Sequence, residues 1–286
     1  MKTCFDCVPC LIRQMVDTAR LCTSDDAVIE DALRQCLAEM ARMDLGQSPP
    51  ALGWRLYRLI LDRCGATDPL RDMKAQSNRF ALSLYPELKA SVNRAPDPFA
   101  QAARLAIAGN IIDFGAHSSF SEARVRQSIA HALEAPLDPV ELDALRHAAA
   151  SARRILYLAD NAGEIVLDKL LIERLGPEKV TVVVRGGPII NDATLEDARA
   201  AGLTGMVEVM DNGAPAAGTI LDLCSPGLRQ RFAAADLVIA KGQGNYETLS
   251  HALRPVYFLL KAKCPVVARS LRVKPGDIVL RRGGAA

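Results

Sequence analysis

Asp160-Asn161-Ala162-Gly163-Glu164 places two carboxylates and a carboxamide in one short stretch of this 286-residue chain. Asn191-Asp192 adds a second amide–acid pair, just after Arg185-Gly186-Gly187-Pro188. Asp160, Asn161 and Asp192 are hard oxygen donors with no His or Cys beside them. Such a set suits Mg²⁺ or Mn²⁺, with water completing the coordination. A cation held there polarises a phosphoryl oxygen and lowers the pKa of a bound water. The same residue types also build turns, and Asp192 suits the cap of a following helix. Asp211-Asn212-Gly213 and Lys241-Gly242-Gln243-Gly244-Asn245-Tyr246-Glu247 repeat the polar texture. In the latter, glycines open a helix, so backbone N–H groups and the helix dipole favour an anion. Lys241 there is a point charge for a phosphate oxygen, or else a solvated lysine beside a tight turn. The order of residues is not that of a Walker loop, and no G-x-G-x-x-G follows a strand, which argues against a dinucleotide.

Two further groups carry chemistry or structure. Asn110 and Asp113, in Gly109-Asn110-Ile111-Ile112-Asp113, are three apart and share one face if the segment is helical. They act as substrate-positioning groups or as a cap and a surface acid. Cys4, Cys7 and Cys10 have the tight spacing of metal ligands, and Cys264 is available as a remote partner for a second metal at Cys7, Cys10 and Cys264. The other reading is thiol packing on a helix face. His117, His131, His147 and His251 fall in no ligand spacing, and G-x-S-x-G is absent.

What must position these groups follows from two periodicities. From Cys7 to about Ala135 apolar residues recur at helical spacing, as in Leu33, Leu37, Met40 and Met43. From Ile155 on, short apolar runs predict buried strands: 155–159, 180–184, 206–210, 237–240 and 265–268, with a last edge strand at 277–280. Helices are predicted at 164–175, 192–201 and 246–263. Strand–helix alternation implies an α/β fold with a doubly wound, mostly parallel sheet. The polar segments then fall at successive carboxyl ends, where open α/β sheets bind ligands. A helical domain over 1–100 and an α/β/α catalytic domain over 101–286 are expected.

Composition narrows the function. A net charge of +2, 5% aromatic residues and no basic block give no reason to expect a nucleic-acid partner. No apolar run spans a bilayer and no secretory stretch opens the chain, so a soluble cytoplasmic protein is expected. Without export, eight cysteines are expected to stay reduced.

The set Cys7-x-x-Cys10-x-x-Arg13-Gln14, Gly109-Asn110-Ile111-Ile112-Asp113, Asp160-Asn161-Ala162-Gly163-Glu164, Gly187-Pro188-Ile189-Ile190-Asn191-Asp192 and Lys241-Gly242-Gln243-Gly244-Asn245 resembles the damage-control phosphatase (acidic-residue-methyltransferase-like) family. The cysteine pair is similar to that of its stand-alone prokaryotic subfamily. The resemblance implies a helical amino-terminal domain on an α/β/α sandwich. It also implies a divalent metal (Mg, Mn, Co or Ni) at Asp160, Asn161 and Asp192, with Lys241 on the substrate phosphate. Asn110, Asp113, Glu164, Asn191, Gly242, Gly244 and Asn245 would line the substrate. The implied reaction is hydrolysis of small phosphate monoesters, sugar phosphates or damaged metabolites. An S-adenosylmethionine-dependent carboxyl methyltransferase and a non-catalytic phosphometabolite-binding protein are the competing classes.

Overall fold

The computed structural model describes residues 1–109 and 122–284, without the side chains of 122–124 and 128. Asn110, Asp113 and His117 therefore lie outside the described residues. Among the described residues, seven α-helices come first: α1 (Cys7–Cys22), α2 (Asp26–Met40), α3 (Pro49–Cys64), α4 (Arg71–Arg94), α5 (Pro98–Ala108), α6 (Glu122–Glu134) and α7 (Pro139–Ser151). The alternating half follows, with β1 (Ile155–Leu158), α8 (Glu164–Leu175), β2 (Val180–Val184), α9 (Leu195–Ala200) and β3 (Glu208–Asp211). It continues through α10 (Pro226–Ala234), β4 (Leu237–Lys241), α11 (Gly242–Leu249), β5 (Val256–Lys261), α12 (Pro265–Leu271) and β6 (Ile278–Gly283).

The sheet order is β3-β2-β1-β4-β5-β6. β1 to β5 are parallel, and β6 closes one edge antiparallel to β5. Alternate residues of each strand feed opposite cores. Ile155, Tyr157, Val182 and Ile239 pack with α4, α5 and α8, whereas Leu156, Leu158, Val238 and Phe258 pack with α10, α11 and α12. The chain begins at the sheet centre, winds out to β3 and returns to β4. β1 and β4 are therefore the neighbours where the winding reverses, the place at which doubly wound sheets open a crevice.

The amino-terminal helices divide between two roles. Leu11, Met15, Ala32, Leu52, Leu56 and Ile60 give α1–α3 a core of their own. α4, although it precedes residue 100, packs with α5 and α8 on the sheet. Tyr57 and Leu61 of α3 meet Ile189 from the β2–α9 loop, which seats the small bundle over the carboxyl edge of the sheet. The amino group of Met1 donates to the Glu247 carbonyl, and Asp6 pairs with Arg269, so the chain start is tied down there too.

Two expected elements change type. The helix expected over 246–263 is α11 followed by β5, and the strand expected over 265–268 is α12. Pro255 ends the helical pattern, and Val256-Tyr257-Phe258-Leu259-Leu260 is fully buried as a strand. Pro265 instead sits at the first helical position behind Cys264, whose sulfur accepts the Val267 N–H. A short apolar run has no periodicity that separates strand from buried helix. Among the described residues, no helix is long and apolar enough to cross a membrane.

Candidate active site

β1 runs out into Asp160, and β4 runs out into Gly242. Gly242 has φ +74°, and a Cβ built on it would lie 1.8 Å from Asp160 Oδ2. Only glycine allows the two strand ends to approach so closely. The β1–α8 and β2–α9 loops are clamped together as well. Ala193 N–H donates to the Asp160 carbonyl at 2.8 Å, and Ala162 N–H to the Asn191 carbonyl at 2.9 Å. Asp192 is not the cap of α9. Thr194 is, in a capping box with Asp197, which leaves the Asp192 side chain for another task.

That task is shared with Asp160 and Asn161, and all three are buried. Arg185, at the end of β2 and 2% exposed, donates from Nε to Asp192 Oδ2 at 2.6 Å. Its Nη2 reaches Asp160 Oδ1 at 3.3 Å. Asn161 Nδ2 donates to Asp160 Oδ2 at 2.9 Å and to Glu164 Oε2 at 3.0 Å, so both of its N–H groups are committed to carboxylates. Its amide oxygen remains as the acceptor. Burial, then the charges of Asp192 and Glu164, push the Asp160 carboxyl up to about 8, against the pull of Arg185 and Lys263. Burial likewise raises Asp192, opposed by Arg185.

Lys241 lies beneath this layer and has no exposure. Its Nζ donates to Glu164 Oε1 and Asp168 Oδ1, both at 2.6 Å, and to the Ala106 carbonyl at 2.8 Å. These three contacts use every ammonium proton. Burial disfavours its charge, but Asp168 and Glu164 outweigh that and hold its pKa above the ordinary lysine value. The expected direct contact of Lys241 with a phosphate is therefore not the geometry found. The residue is linked instead, through Glu164, to the Asn161 amide. Glu164 and Asn245 differ from expectation in the same way, for neither has any exposure. Asn245 uses its amide to join the ends of β1 and β4, donating to the Lys241 carbonyl at 2.7 Å and the Ala159 carbonyl at 3.2 Å.

Asp160, Asn161, Asn191, Asp192 and Gly244 open onto one cavity of about 440 Å³ between the sheet edge and the α1–α3 bundle. Lys263 lines it too, on the side where its charge acts on Asp160 and Asp192. Cys7, Cys10 and Cys264 also border it, so residues from both ends of the chain converge there. Among the described residues, no three His, Cys, Asp or Glu side chains are gathered closely enough to hold a metal, either at the cysteines or around Asp160 and Asp192. Cys4 and Cys7 sulfurs are 3.5 Å apart, and burial pushes the Cys7 thiol up to about 11.

The family model described as the damage-control phosphatase ARMT1-like domain matches residues 3–279. The chain belongs to this family. A damage-control phosphatase of Archaeoglobus fulgidus is 36% identical over 285 residues, spanning 96% of this chain and 97% of the relative. A damage-control phosphatase of Pyrococcus horikoshii is 34% identical, spanning 99% and 98%. The crystal structure of a DUF89 family protein from Pyrococcus horikoshii superposes with a TM-score of 0.88 at 32% identity, covering 99% of both chains.

In this damage-control phosphatase family member, Arg185, Asp168 and Lys263 contact or border the candidate site, although the spacing of motifs did not single them out. Arg185 had a signal, a cation at a strand end directly before Gly-Gly-Pro. Asp168 had none, because it lies one helical turn past Glu164 on the buried face of α8 and becomes important only once Lys241 is packed against it.

Proposed function

We propose that this protein hydrolyses small phosphate monoesters with a divalent cation held by Asp160, Asn161 and Asp192. The observation that carries the reading is the gathering of Asp160, Asn161 and Asp192 at the β1/β4 crevice, on one cavity. Two buried acids reached by Arg185 stand there beside an amide oxygen. Two carboxylates with an amide oxygen are the hard donors that a divalent cation takes. When bound, the cation acts as a Lewis acid on a phosphoryl oxygen.

The chain's own groups do the rest. Gly242 and Gly244, opening α11, allow backbone N–H groups to approach a phosphoryl oxygen at the positive end of the helix. Lys263 places a cation at the same cavity. It takes the electrostatic role that the motif order gave to Lys241. Lys241 acts at one remove, by fixing Glu164 and through it the Asn161 amide. In the net reaction, water forms a bond to phosphorus, the bond from phosphorus to the ester oxygen breaks, and that oxygen leaves as the alcohol after taking a proton. Positioning and fixed charge supply most of the acceleration in such transfers.

The test is phosphate release from a panel of monoesters, run with Mg²⁺, Mn²⁺, Co²⁺ and Ni²⁺ in turn. Turnover that appears only with a divalent ion and is abolished in Asp160→Asn is the expected result. Full activity in Asp160→Asn, or equal activity after chelation, would sink the metal assignment.

A further inference from the structure

The two walls of the cavity differ in kind. The sheet side carries the polar groups, among them Asp160, Asp192, Asn191, Gln243 and Lys263. The facing wall is built largely from Leu11, Pro50 and Trp54 of the bundle, joined by Ile190 and Val266. On the bundle side the polar side chains are Gln14, Asp6 and the thiols of Cys7 and Cys10, and Asp6 is paired with Arg269. Trp54 is half-buried, with the Arg58 guanidinium 5.8 Å from its ring centre.

Ile190 is held at φ 38°, a backbone conformation that a β-branched residue avoids. Asparagine or glycine would occupy it with less strain. The chain nonetheless places an apolar side chain there, beside Trp54 and against the Tyr57–Leu61–Ile189 cluster. Strain of this kind persists where surrounding packing fixes it, and it concentrates at ligand sites.

We infer that the alcohol portion of the substrate carries a planar, largely apolar group, such as an aromatic ring, seated against Trp54 and Ile190. This rests on the phosphatase reading above and narrows its substrate class. A polyhydroxylated sugar would turn its hydroxyls toward this wall and lose hydrogen bonds to water without replacement. An aromatic ring would gain from the same surface. Burying a ring changes affinity on the order of 10- to 100-fold.

Two measurements on the full-length protein with Mn²⁺ test this. Trp54 is the only tryptophan, so its fluorescence reports the wall directly. Benzylphosphonate, which is not hydrolysed, should bind at least about tenfold more tightly than methylphosphonate and shift the Trp54 emission. Benzyl phosphate and glycerol 1-phosphate are both esters of primary alcohols, so their kcat/KM ratio reports the pocket rather than the leaving group. A ratio on the order of ten or more is expected. It should contract toward unity in Trp54→Ala and in Ile190→Asn, the second of which relieves backbone strain while making the wall polar. Equal binding of the two phosphonates, a preference for glycerol 1-phosphate, or a ratio unmoved by both variants overturns the inference, while phosphate release leaves the phosphatase reading standing. Tight benzylphosphonate binding with no release from any ester upholds the apolar seat and overturns the phosphatase reading. Failure of both binding and release overturns both.

Discussion

Replacing Lys241 with methionine keeps an unbranched four-atom stem but removes the one ammonium shared by Glu164 and Asp168. All three side chains are 0–1% exposed, so no water is at hand to take over. Removing one partner from a buried ion pair costs about 3–5 kcal/mol, because the remaining charge stays desolvated. Here two carboxylates are stranded, and the carbonyl of Ala106 loses its donor too. For a chain of this size the loss corresponds to a fall in Tm of roughly 6–20 °C. It should also depend on pH in a definite sense. Burial already holds the Asp168 carboxyl up at about 7 against the pull of Lys241, and loss of the ammonium raises it further above its unfolded value. Folded molecules then hold extra protons at low pH and lose that advantage as pH rises. Lys241→Met should therefore be least destabilised near pH 5 and most near pH 8. Thermal and urea unfolding followed by circular dichroism measure both effects. Adding Glu164→Gln should recover part of the loss, and the double-mutant cycle gives the coupling. A Lys241→Met protein within about 1 kcal/mol of the parent at pH 8, with a raised KM for phosphate esters as its main defect, would refute the argument. It would return Lys241 to direct contact with substrate.

Three other outcomes are expected. Gly242→Ala forces a Cβ onto the Asp160 carboxylate and adds roughly 1–2 kcal/mol for the left-handed backbone, so Mn²⁺ affinity measured by calorimetry should fall along with turnover. Burial pushes the Glu247 carboxyl up to about 7, so its favourable contribution is present at low pH and lost as pH rises through 7. Glu247→Gln should accordingly narrow the difference in Tm between pH 5 and pH 8, and an unchanged difference would show that Glu247 does not titrate there. In metal-free protein, Mn²⁺ should raise Tm more at pH 8 than at pH 5, because below about 8 a proton competes for Asp160.

Most of the order of elements and the polar edge of the sheet were legible because each leaves a local trace. Val180-Thr181-Val182-Val183-Val184 announces a buried strand through its composition, and the residue after such a strand reaches the carboxyl edge by chain geometry alone. Asp160, Asn161, Asp192 and Gly244 followed from that logic, and they meet at one cavity. Elements without a distinctive period did not follow. Val256–Lys261 and Pro265–Leu271 exchanged strand for helix because their apolar runs are too short to show one.

The amino-acid sequence by itself determined a helical first part, a mostly parallel α/β second part, and polar loops at the carboxyl ends of its strands. Only the tertiary structure decided which charges face the cavity. Lys241 and Lys263 have the same side chain, yet one is sealed between Glu164 and Asp168 while the other lines the open space. The difference comes from helices distant in sequence, since α5 supplies the Ala106 carbonyl and α8 the two carboxylates. Burial sets how far a charge is sealed from solvent, and burial is a property of packing that no local run of residues contains.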